Sequence, residues 1–237
     1  MSKPTYKEML DAGVHFGHMK SKWNPKMQKY IFAEKKGIHI IDINKTISEL
    51  EKSGKAMKEL AKAGKKIIFV ATKKQARDVV KQAAESVNMP YVTHRWLGGM
   101  MTNFSTIRKS IKKMEKIDSM LNDKSLTSIT KKERLTLTRE KDKMNRVLGG
   151  IEKLNKLPSA MFVVDISQEH LAIDEAHKLN IRTFAMVDTN VNPNLVDFAI
   201  PANDDSTKSI EIITNYLVNA IREGLEEKGN SQEGSEN

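Results

Sequence analysis

Two glycine pairs bracket a charged segment in the middle of this chain, and they constrain its organisation more than any other feature. Gly98–Gly99 follows Arg95 and Trp96, and Gly149–Gly150 ends the charged segment. Glycine adopts positive φ and lets another backbone approach closely, as a chain that leaves and re-enters a domain requires. Either pair alone would indicate a flexible loop. With Arg95 and Trp96 beside the first pair, the two together predict a structured junction at the base of an insertion.

On both sides of the insertion, short apolar runs alternate with helical patterns. Residues 67–71 form a continuous apolar run of the kind that is buried on both faces of a parallel sheet. Similar strands are predicted at 38–43, 90–92, 159–165, 183–188 and 198–201, and 30–32 is predicted to pair with 38–43 through a turn at 34–37. The order β-α-β-α-β, insertion, β-α-β-α predicts an α/β fold with a doubly wound parallel sheet.

The insertion itself has a helical pattern. Ile107, Ile111, Met114 and Leu121 recur at a heptad-like spacing, and the spacing resumes after residue 130. Two narrow apolar stripes joined by a turn at 122–125 predict an antiparallel helical coiled-coil hairpin that projects from the domain. The predicted boundaries are 1–103 and 149–228 for the α/β domain, 104–148 for the hairpin and 229–237 for a disordered acidic tail. Capping boxes predict helix starts at Thr5–Glu8, Thr46–Glu49 and Thr130–Glu133.

Composition excludes several classes of protein. The chain of 237 residues contains no cysteine, which excludes disulfides and thiolate metal sites. No apolar run approaches the roughly 18 residues of a membrane span, and the first residues lack the apolar region of a signal peptide. We therefore expect a cytoplasmic protein with no membrane partner.

Charge is distributed unevenly along the chain. Residues 1–150 contain 33 Lys and Arg against 15 Asp and Glu, a net +18, whereas residues 151–237 contain 7 against 15, a net −8. The insertion with its closing glycines, 104–150, has 13 against 6 and carries +7. A basic part this lopsided is typical of a protein that binds a polyanion. A general solubility bias is the alternative.

The segment 14–29 interleaves lysines with aromatic residues and has no secondary-structure period. Aromatic side chains among cations suit stacking on bases together with contacts to phosphates. His15 and His18, with His39 further on, are possible metal ligands. Because the sequence shows no third close ligand and no cysteine, we favour polar packing for these histidines.

Aspartates follow the later strands. Asp165 and Asp188 end two buried runs, and Asp204 and Asp205 follow the last one. The carboxyl ends of parallel strands converge at one edge of a sheet, so Asp188, Asp204 and Asp205 are candidates for holding one divalent cation. The alternative is that these residues cap the helices that follow or, for Asp165, form a turn.

Three classes of function compete. A structural RNA-binding subunit explains the charge asymmetry and the projecting hairpin. A magnesium-dependent phosphotransfer enzyme of the receiver type would share the fold, but it needs an acidic pair after its first strand, and residues 41–44 offer only Asp42. An adaptor that binds proteins would not need the basic first 150 residues. No glycine-rich nucleotide fingerprint and no nucleophile elbow is present, so we predict that the chain is not an enzyme.

Five motifs in order resemble the bacterial small-subunit ribosomal protein of the S-two family over essentially the whole chain except the tail. They are Gly13–His18, Trp23–Met27, His94–Met100, Val187–Asn190 and Asn203–Asp205. The sequence departs from this pattern in Arg182, where many relatives have proline, in Ala202, where they often have glycine, and in its short acidic tail.

The resemblance implies a flavodoxin-like, three-layer domain with an inserted coiled-coil hairpin. It also implies binding of 16S ribosomal RNA near the head–body junction, contact with neighbouring small-subunit proteins including the S-one protein that captures messenger RNA, and a place in the cytoplasmic ribosome. No cofactor is required, although one structural Mg²⁺ or Zn²⁺ at the aspartates is possible. Trp96 either stacks on RNA or packs beneath the hairpin. The residues assigned to RNA binding are Lys20, Lys22, Trp23, Asn24, Lys26, Lys73, Lys74, Arg77, Arg95, Trp96, Asn103, Arg108, Lys109, Lys112 and Lys113.

Overall fold

The structure, a computed structural model, describes residues 3–122 and 130–233. Short 3₁₀ turns occur at Lys20–Lys22, Pro25–Tyr30, Gly149–Ile151 and Pro193–Leu195. The helices and strands of the described residues are, in chain order, α1 (Tyr6–Asp11), β1 (Phe16–Met19), β2 (Ile31–Lys35), β3 (Ile38–Ile41), α2 (Ile43–Lys62), β4 (Ile67–Val70), α3 (Lys74–Ser86), β5 (Tyr91–Val92), α4 (Phe104–Asn122), α5 (Lys131–Leu148), β6 (Ala160–Val164), α6 (His170–Lys178), β7 (Arg182–Val187), β8 (Phe198–Pro201) and α7 (Thr207–Glu233).

The larger sheet has five strands in the order β5-β4-β6-β7-β8, and every neighbouring pair is parallel. Numbered along the chain within this sheet, the order is 2-1-3-4-5, which is the doubly wound order of flavodoxin-like folds. Phe69, Phe162, Phe184 and Phe198 are register partners across four of the strands and form one row of rings. The predicted parallel sheet is confirmed.

Alternate residues of the strands face two separate apolar cores. Phe162 and Val164 of β6 pack in the first core with α2, α3 and α7. Met161 and Val163 pack in the second core with α6 and the ends of α4 and α5 that lie nearest the sheet. Strands with every residue buried need a helical layer on each face, so the domain has three layers.

The N-terminal strands do not belong to this sheet. β1, β3 and β2 form a separate antiparallel sheet in that order, and β2 and β3 are joined by a turn in which Lys36 and Gly37 both have positive φ. The hairpin is confirmed, but the assignment of 38–43 as the first parallel strand is wrong. The physical reason is visible in the burial of β3, which alternates, whereas β4 is buried at every residue. The parallel sheet begins with β4.

Two helix boundaries differ from the predictions. Helix α2 begins at Ile43, where the side chain of Asp42 accepts from the backbone N–H of Asn44 at 3.0 Å. Thr46 is buried inside the helix and donates its hydroxyl to the carbonyl oxygen of Pro201 at 2.6 Å, so it ties α2 to β8 instead of capping. Helix α7 continues to Glu233, past Gly229 where the disordered tail was expected to begin. The last four residues of that tail lie outside the described residues.

The predicted insertion contains two helices that pack side by side. The Lys113 ammonium lies 2.6 Å from the Glu140 carboxylate, Lys141 pairs with Asp118, and a guanidinium nitrogen of Arg134 donates to a carbonyl oxygen of α4. The contact at Lys113, nearer the start of α4, is with Glu140, and the contact at Leu121, near the end of α4, is with Arg134, so the two helices run in opposite directions. The predicted turn at 122–125 lies outside the described residues from residue 123 onward.

The two glycine pairs at the junction are needed for different reasons. Gly99 has φ +84°, a backbone conformation that L side chains rarely adopt. Gly150 has a conformation open to any residue, but a Cβ atom there would lie 2.1 Å from the carbonyl oxygen of Tyr91. The return of the chain to the sheet therefore depends on a close approach of two backbones, as the sequence predicted for this junction.

Candidate functional site

Charged side chains converge at the carboxyl edge of the parallel sheet. Lys73 follows β4 directly, and its ammonium nitrogen lies 3.3 Å from a carboxylate oxygen of Asp165, 2.6 Å from one of Asp204 and 2.7 Å from one of Asp205. We refer to these four residues as the strand-end cluster. Lys73 is one of the residues predicted to bind RNA. A lysine held by three carboxylates and largely shielded from solvent neutralises the cluster and is not presented to RNA.

Burial and charge oppose each other in the strand-end cluster. Burial works against the charge on Lys73, but the carboxylates of Asp204, Asp205 and Asp165 together raise the pKa of Lys73 above its usual value. Burial, with the charges of Asp165 and Asp188, raises the pKa of Asp204 to about 7 despite the nearby ammonium. The cluster therefore has more negative charge than one lysine stabilises.

His18 of β1 completes the cluster from the N-terminal sheet. Its Nδ1 lies 2.9 Å from a carboxylate oxygen of Asp188, and its Nε2 lies 3.6 Å from one of Asp205. The Asp188 carboxylate beside the ring raises the pKa of His18, although burial opposes this. The backbone N–H of His18 donates to the Thr189 hydroxyl at 2.8 Å, which holds β1 against the end of β7.

Ligand atoms of His18, Asp188 and Asp205 lie within 4.8 Å of one another, so this group shares Asp188 and Asp205 with the predicted set and adds His18. Asp204 and Asp205 each have one carboxylate oxygen beside the Lys73 ammonium. The other Asp204 oxygen is buried and has no hydrogen-bond partner among the described residues. Asp165 has the turn role that was the alternative for it: its side chain accepts from the backbone N–H groups of Ser167 and Gln168, in the turn that precedes α6.

His15 and His39, the other two histidines considered as metal ligands, are not part of this cluster. The ring centroid of His15 lies 4.1 Å from that of Phe16, with the two rings tilted at 38°, and burial lowers the pKa of His15. His39 is buried with its ring centroid 5.1 Å from that of Trp23. Ring nitrogens of both histidines have no hydrogen-bond partner among the described residues, so the expected satisfied polar packing is not what the structure shows.

Trp96 belongs to the core. It is 6% exposed, packs in the second core, and donates its indole N–H to a carboxylate oxygen of Glu175 on α6 at 3.0 Å. Of the two alternatives for this residue, the structure supports packing beneath the hairpin. Its neighbour Arg95 is exposed.

Glu175 organises the whole loop that leads into α4. The same carboxylate accepts from the backbone N–H groups of Gly99 at 2.7 Å and of Met101 and Thr102 at 2.9 Å, and from the Thr102 hydroxyl at 3.1 Å. Burial alone would raise its pKa, but these donors outweigh that effect and lower the pKa of Glu175 below its usual value. The sequence carries no local signal for this role, because the donors lie more than 70 residues away.

The residues predicted to bind RNA fall into three groups. Trp96 is buried, and Trp23, Asn24, Lys73, Arg77 and Arg108 are half-buried. Two of the half-buried cations donate to backbone carbonyls, Arg77 to Thr72 at 2.7 Å and Arg108 to Glu152 at 2.9 Å. The side chain of Asn24 accepts from the N–H of Lys26 as a helix cap. The exposed residues are Lys20, Lys22, Lys26, Lys74, Arg95, Asn103, Lys109, Lys112 and Lys113.

The strand ends do not form a phosphotransfer site of the receiver type. The first parallel strand, β4, is followed by Ala71, Thr72 and Lys73, so the place of the acidic pair holds a hydroxyl and a cation. The crevice between β4 and β6, where such folds bind ligands, is occupied by the pair of Lys73 and Asp165. This is an α/β protein whose crevice is filled by its own charged side chains and whose exposed cations lie elsewhere.

Comparisons with known proteins identify the family. A family model described as "Ribosomal protein S2" matches residues 9–224. The small ribosomal subunit protein uS2 of Cytophaga hutchinsonii is 56% identical over 226 residues, which are 95% of this chain and 89% of that protein. The corresponding protein of Parabacteroides distasonis is 54% identical over 96% of this chain and 82% of its own length, and that of Flavobacterium johnsoniae is 53% identical over 98% and 91%.

The chain belongs to the ribosomal protein S2 family. It is a structural, non-enzymatic component of the small ribosomal subunit, which in bacteria lies in the cytoplasm. Among the described helices, none has both the length and the apolar character needed to cross a membrane.

The role of Glu175 gives a test by substitution. We expect Glu175→Gln to lower the free energy of unfolding at pH 7 by at least about 2 kcal/mol, because buried N–H donors lose a charged acceptor. The depressed pKa means that this contribution is present above the usual glutamate pKa and is lost as the pH falls through the folded-state value. Urea unfolding at neutral pH and at about pH 4 measures both effects.

The matched control is Glu226→Gln on the exposed face of α7, which should change stability little at either pH. A Glu175→Gln protein as stable as the wild type at pH 7 would contradict the anchoring role. An equal loss at both pH values would contradict the attribution to the ionised carboxylate.

Proposed function

We propose that this protein binds 16S ribosomal RNA near the head–body junction of the small subunit, chiefly through phosphate contacts. The observation that carries the proposal is the exposure of lysines along α4. Lys109 and Lys112 are exposed, on a helix whose opposite side buries Ile107, Ile111 and Met114. The net +18 of residues 1–150 supports the same interpretation.

The two helices α4 and α5 form, in this proposal, a coiled-coil hairpin that carries the RNA-binding charge away from the sheet. Its apolar stripe continues to Ile117 on α4, and α5 contributes half-buried Leu137 and Met144. So narrow a stripe is that of a two-helix seam. Only the ends near the sheet, with Ile107 and Leu148, join the second core.

Salt dependence tests the RNA proposal. The double substitution Lys109→Gln and Lys112→Gln should weaken binding to 16S RNA and flatten the slope of log K against log salt. Each phosphate contact that is lost should reduce the slope by about 0.7 to 0.9. Filter binding at several salt concentrations measures the slope. Lys113 is left unchanged because it is paired with Glu140.

The control pair is Lys7→Gln and Lys55→Gln, which removes the same charge from exposed positions on α1 and α2. A wild-type slope near zero would contradict electrostatic RNA binding. Equal slopes for the two double variants would contradict the role of α4 in particular.

We further propose that one structural divalent cation binds at the strand-end cluster, through His18, Asp188 and Asp205. An imidazole nitrogen with carboxylate oxygens suits Zn²⁺ better than Mg²⁺, which prefers oxygen ligands alone. The buried, unsatisfied oxygen of Asp204 and its raised pKa support a site that is short of positive charge. A cation there would offset carboxylate repulsion and tie β1 to the end of β7.

Thermal unfolding tests the cation proposal. Zn²⁺ should raise the melting temperature of the wild type in a concentration-dependent way, since a ligand that binds only the folded state stabilises it. Asp205→Asn and His18→Gln should each abolish the increment, whereas Asp174→Asn, an exposed aspartate on α6, should keep it. An increment that survives in both ligand variants would exclude this site.

The N-terminal sheet supports a proposal about protein partners. Its exposed surface carries Phe16, Met19, Phe32 and Ile38, and Phe32 is 77% exposed. A cluster of exposed large apolar residues is typical of a protein–protein interface. We propose that neighbouring small-subunit proteins, including the S-one protein that captures messenger RNA, bind at this sheet.

Substitution of the two aromatic residues tests this partner. Phe16→Ser with Phe32→Ser should weaken co-purification of the S-one protein with the small subunit at least tenfold while leaving 16S RNA binding unchanged. The control is Leu171→Ser, which removes an exposed leucine from α6. Normal retention of the S-one protein on particles that contain the double variant would exclude the sheet as its contact.

A further inference from the structure

A small basic cleft lies where the α4–α5 insertion returns to the sheet. Its volume is about 210 Å³, and it is lined from three directions. Helix α3 contributes Lys81, the segment after β5 contributes Thr93 and His94, and the end of α5 contributes Asn145 and Arg146. Lys81, His94 and Arg146 are all exposed. We refer to this set of residues as the hairpin-base cleft.

The charged residues that line the hairpin-base cleft are all positive. Among the described residues that line it there are two permanent cations and no carboxylate. This differs from other lysines of the protein, such as Lys113 with Glu140 and Lys58 with Glu227, which lie beside acidic partners. The carboxylate that acts on His94 against these cations is Asp78, one helical turn before Lys81.

The pKa of His94 is sensitive to the positive charges around the cleft. Burial, followed by the positive charges of Arg77, Arg146 and Lys81, lowers the pKa of His94. The lowered pKa favours the neutral ring, which offers an N–H donor without adding charge. Asn145 and Thr93 supply further polar groups. Two cations with neutral donors around a small concave space suit a phosphate group.

The glycine pair Gly149–Gly150 gives the cleft its floor. A Cβ atom on Gly150 would overlap the carbonyl oxygen of Tyr91, and one on Gly149 would lie 2.3 Å from the Oδ1 atom of Asn145. The backbone of the returning chain therefore packs directly against Tyr91, and both glycines line the cleft. Since this close approach brings the end of α5 beside β5, the cleft depends on the same glycines as the junction.

We propose that the hairpin-base cleft binds one backbone phosphate of the ribosomal RNA. Lys81 and Arg146 supply the charge, and His94 and Asn145 supply hydrogen bonds. This rests on the proposed RNA binding and adds a specific contact to it. Because the cleft combines α3 and the end of β5 with α5, a phosphate bound there holds the hairpin in a defined orientation on the sheet while its exposed lysines contact the RNA further out.

Single substitutions test the cleft. Lys81→Gln and Arg146→Gln should each weaken 16S RNA binding and reduce the slope of log K against log salt by about 0.7 to 0.9, and Arg146→Lys should keep most of the slope. Lys55→Gln on α2, outside the cleft, is the charge-matched control. If the wild type binds RNA with a steep slope and both cleft variants behave like the control, the cleft is excluded while the RNA proposal stands. A wild type without a slope overturns both.

A second measurement uses the wild-type protein and does not depend on the folding of variants. Amine-reactive acetylation, followed by mass spectrometry, should modify Lys81 at least fivefold more slowly when 16S RNA is bound, with no change at Lys55. Inorganic phosphate at millimolar concentration should give no such protection. Equal protection by inorganic phosphate would show a site for free phosphate and overturn the assignment to RNA, and full reactivity of Lys81 in the complex would overturn it as well.

Discussion

The carboxylate of Glu175 is the interaction on which the unusual part of this structure depends. A chain that leaves a parallel sheet to form an insertion must carry several backbone N–H groups across the buried face of the domain, and each unpaired group would destabilise the fold. Glu175 accepts from three of them, at Gly99, Met101 and Thr102, and also from the indole of Trp96. The loop is thereby fixed to α6, and the start of α4 is fixed with it. The exposed lysines of α4 and the hairpin-base cleft both follow from that position.

Two charge systems are kept apart in the fold. At the carboxyl edge of the sheet, Lys73 is enclosed by Asp165, Asp204 and Asp205, and the excess of acid is visible in the pKa of Asp204, near 7. These groups partly neutralise one another, and the proposed cation would offset the remaining negative charge. They also fill the crevice that related folds use for ligands. The cations available to a polyanion lie on α4, around the junction and in the N-terminal segment. In the proposed function, this protein has the fold of a ligand-binding domain but binds RNA on a surface outside the usual crevice.

Thr189 holds the N-terminal sheet against the strand-end cluster, beside the pairing of His18 with Asp188. Its hydroxyl accepts from the N–H of His18, its carbonyl accepts from the N–H of Asn24, and Gly17 lies so close that a Cβ atom there would be 2.6 Å from the Thr189 methyl group. The position of this small sheet therefore depends on the end of β7. Its outer residues, Phe16 and Phe32 among them, remain exposed because the sheet is packed on one side only. The same contacts bring His18 to the aspartates, which links the proposed cation to the proposed partner surface.

The sequence by itself determined the strands of the parallel sheet, the junction and the charge asymmetry. Runs such as 160–164 are apolar at every position, and only a strand covered on both faces satisfies them, so the layer order follows from local pattern. Gly99 and Gly150 marked the junction because no other residue fits their positions. The tertiary structure alone decided that β3 pairs in a separate sheet, that Thr46 ties α2 to β8, and that Trp96 packs on Glu175. It alone placed Lys73 beside Asp204, 131 residues away, and His18 beside Asp188. The reason is physical. A local sequence pattern predicts whether a side chain is buried, but the partner of a buried charge lies on a segment that is distant in the chain and is brought close only by the fold.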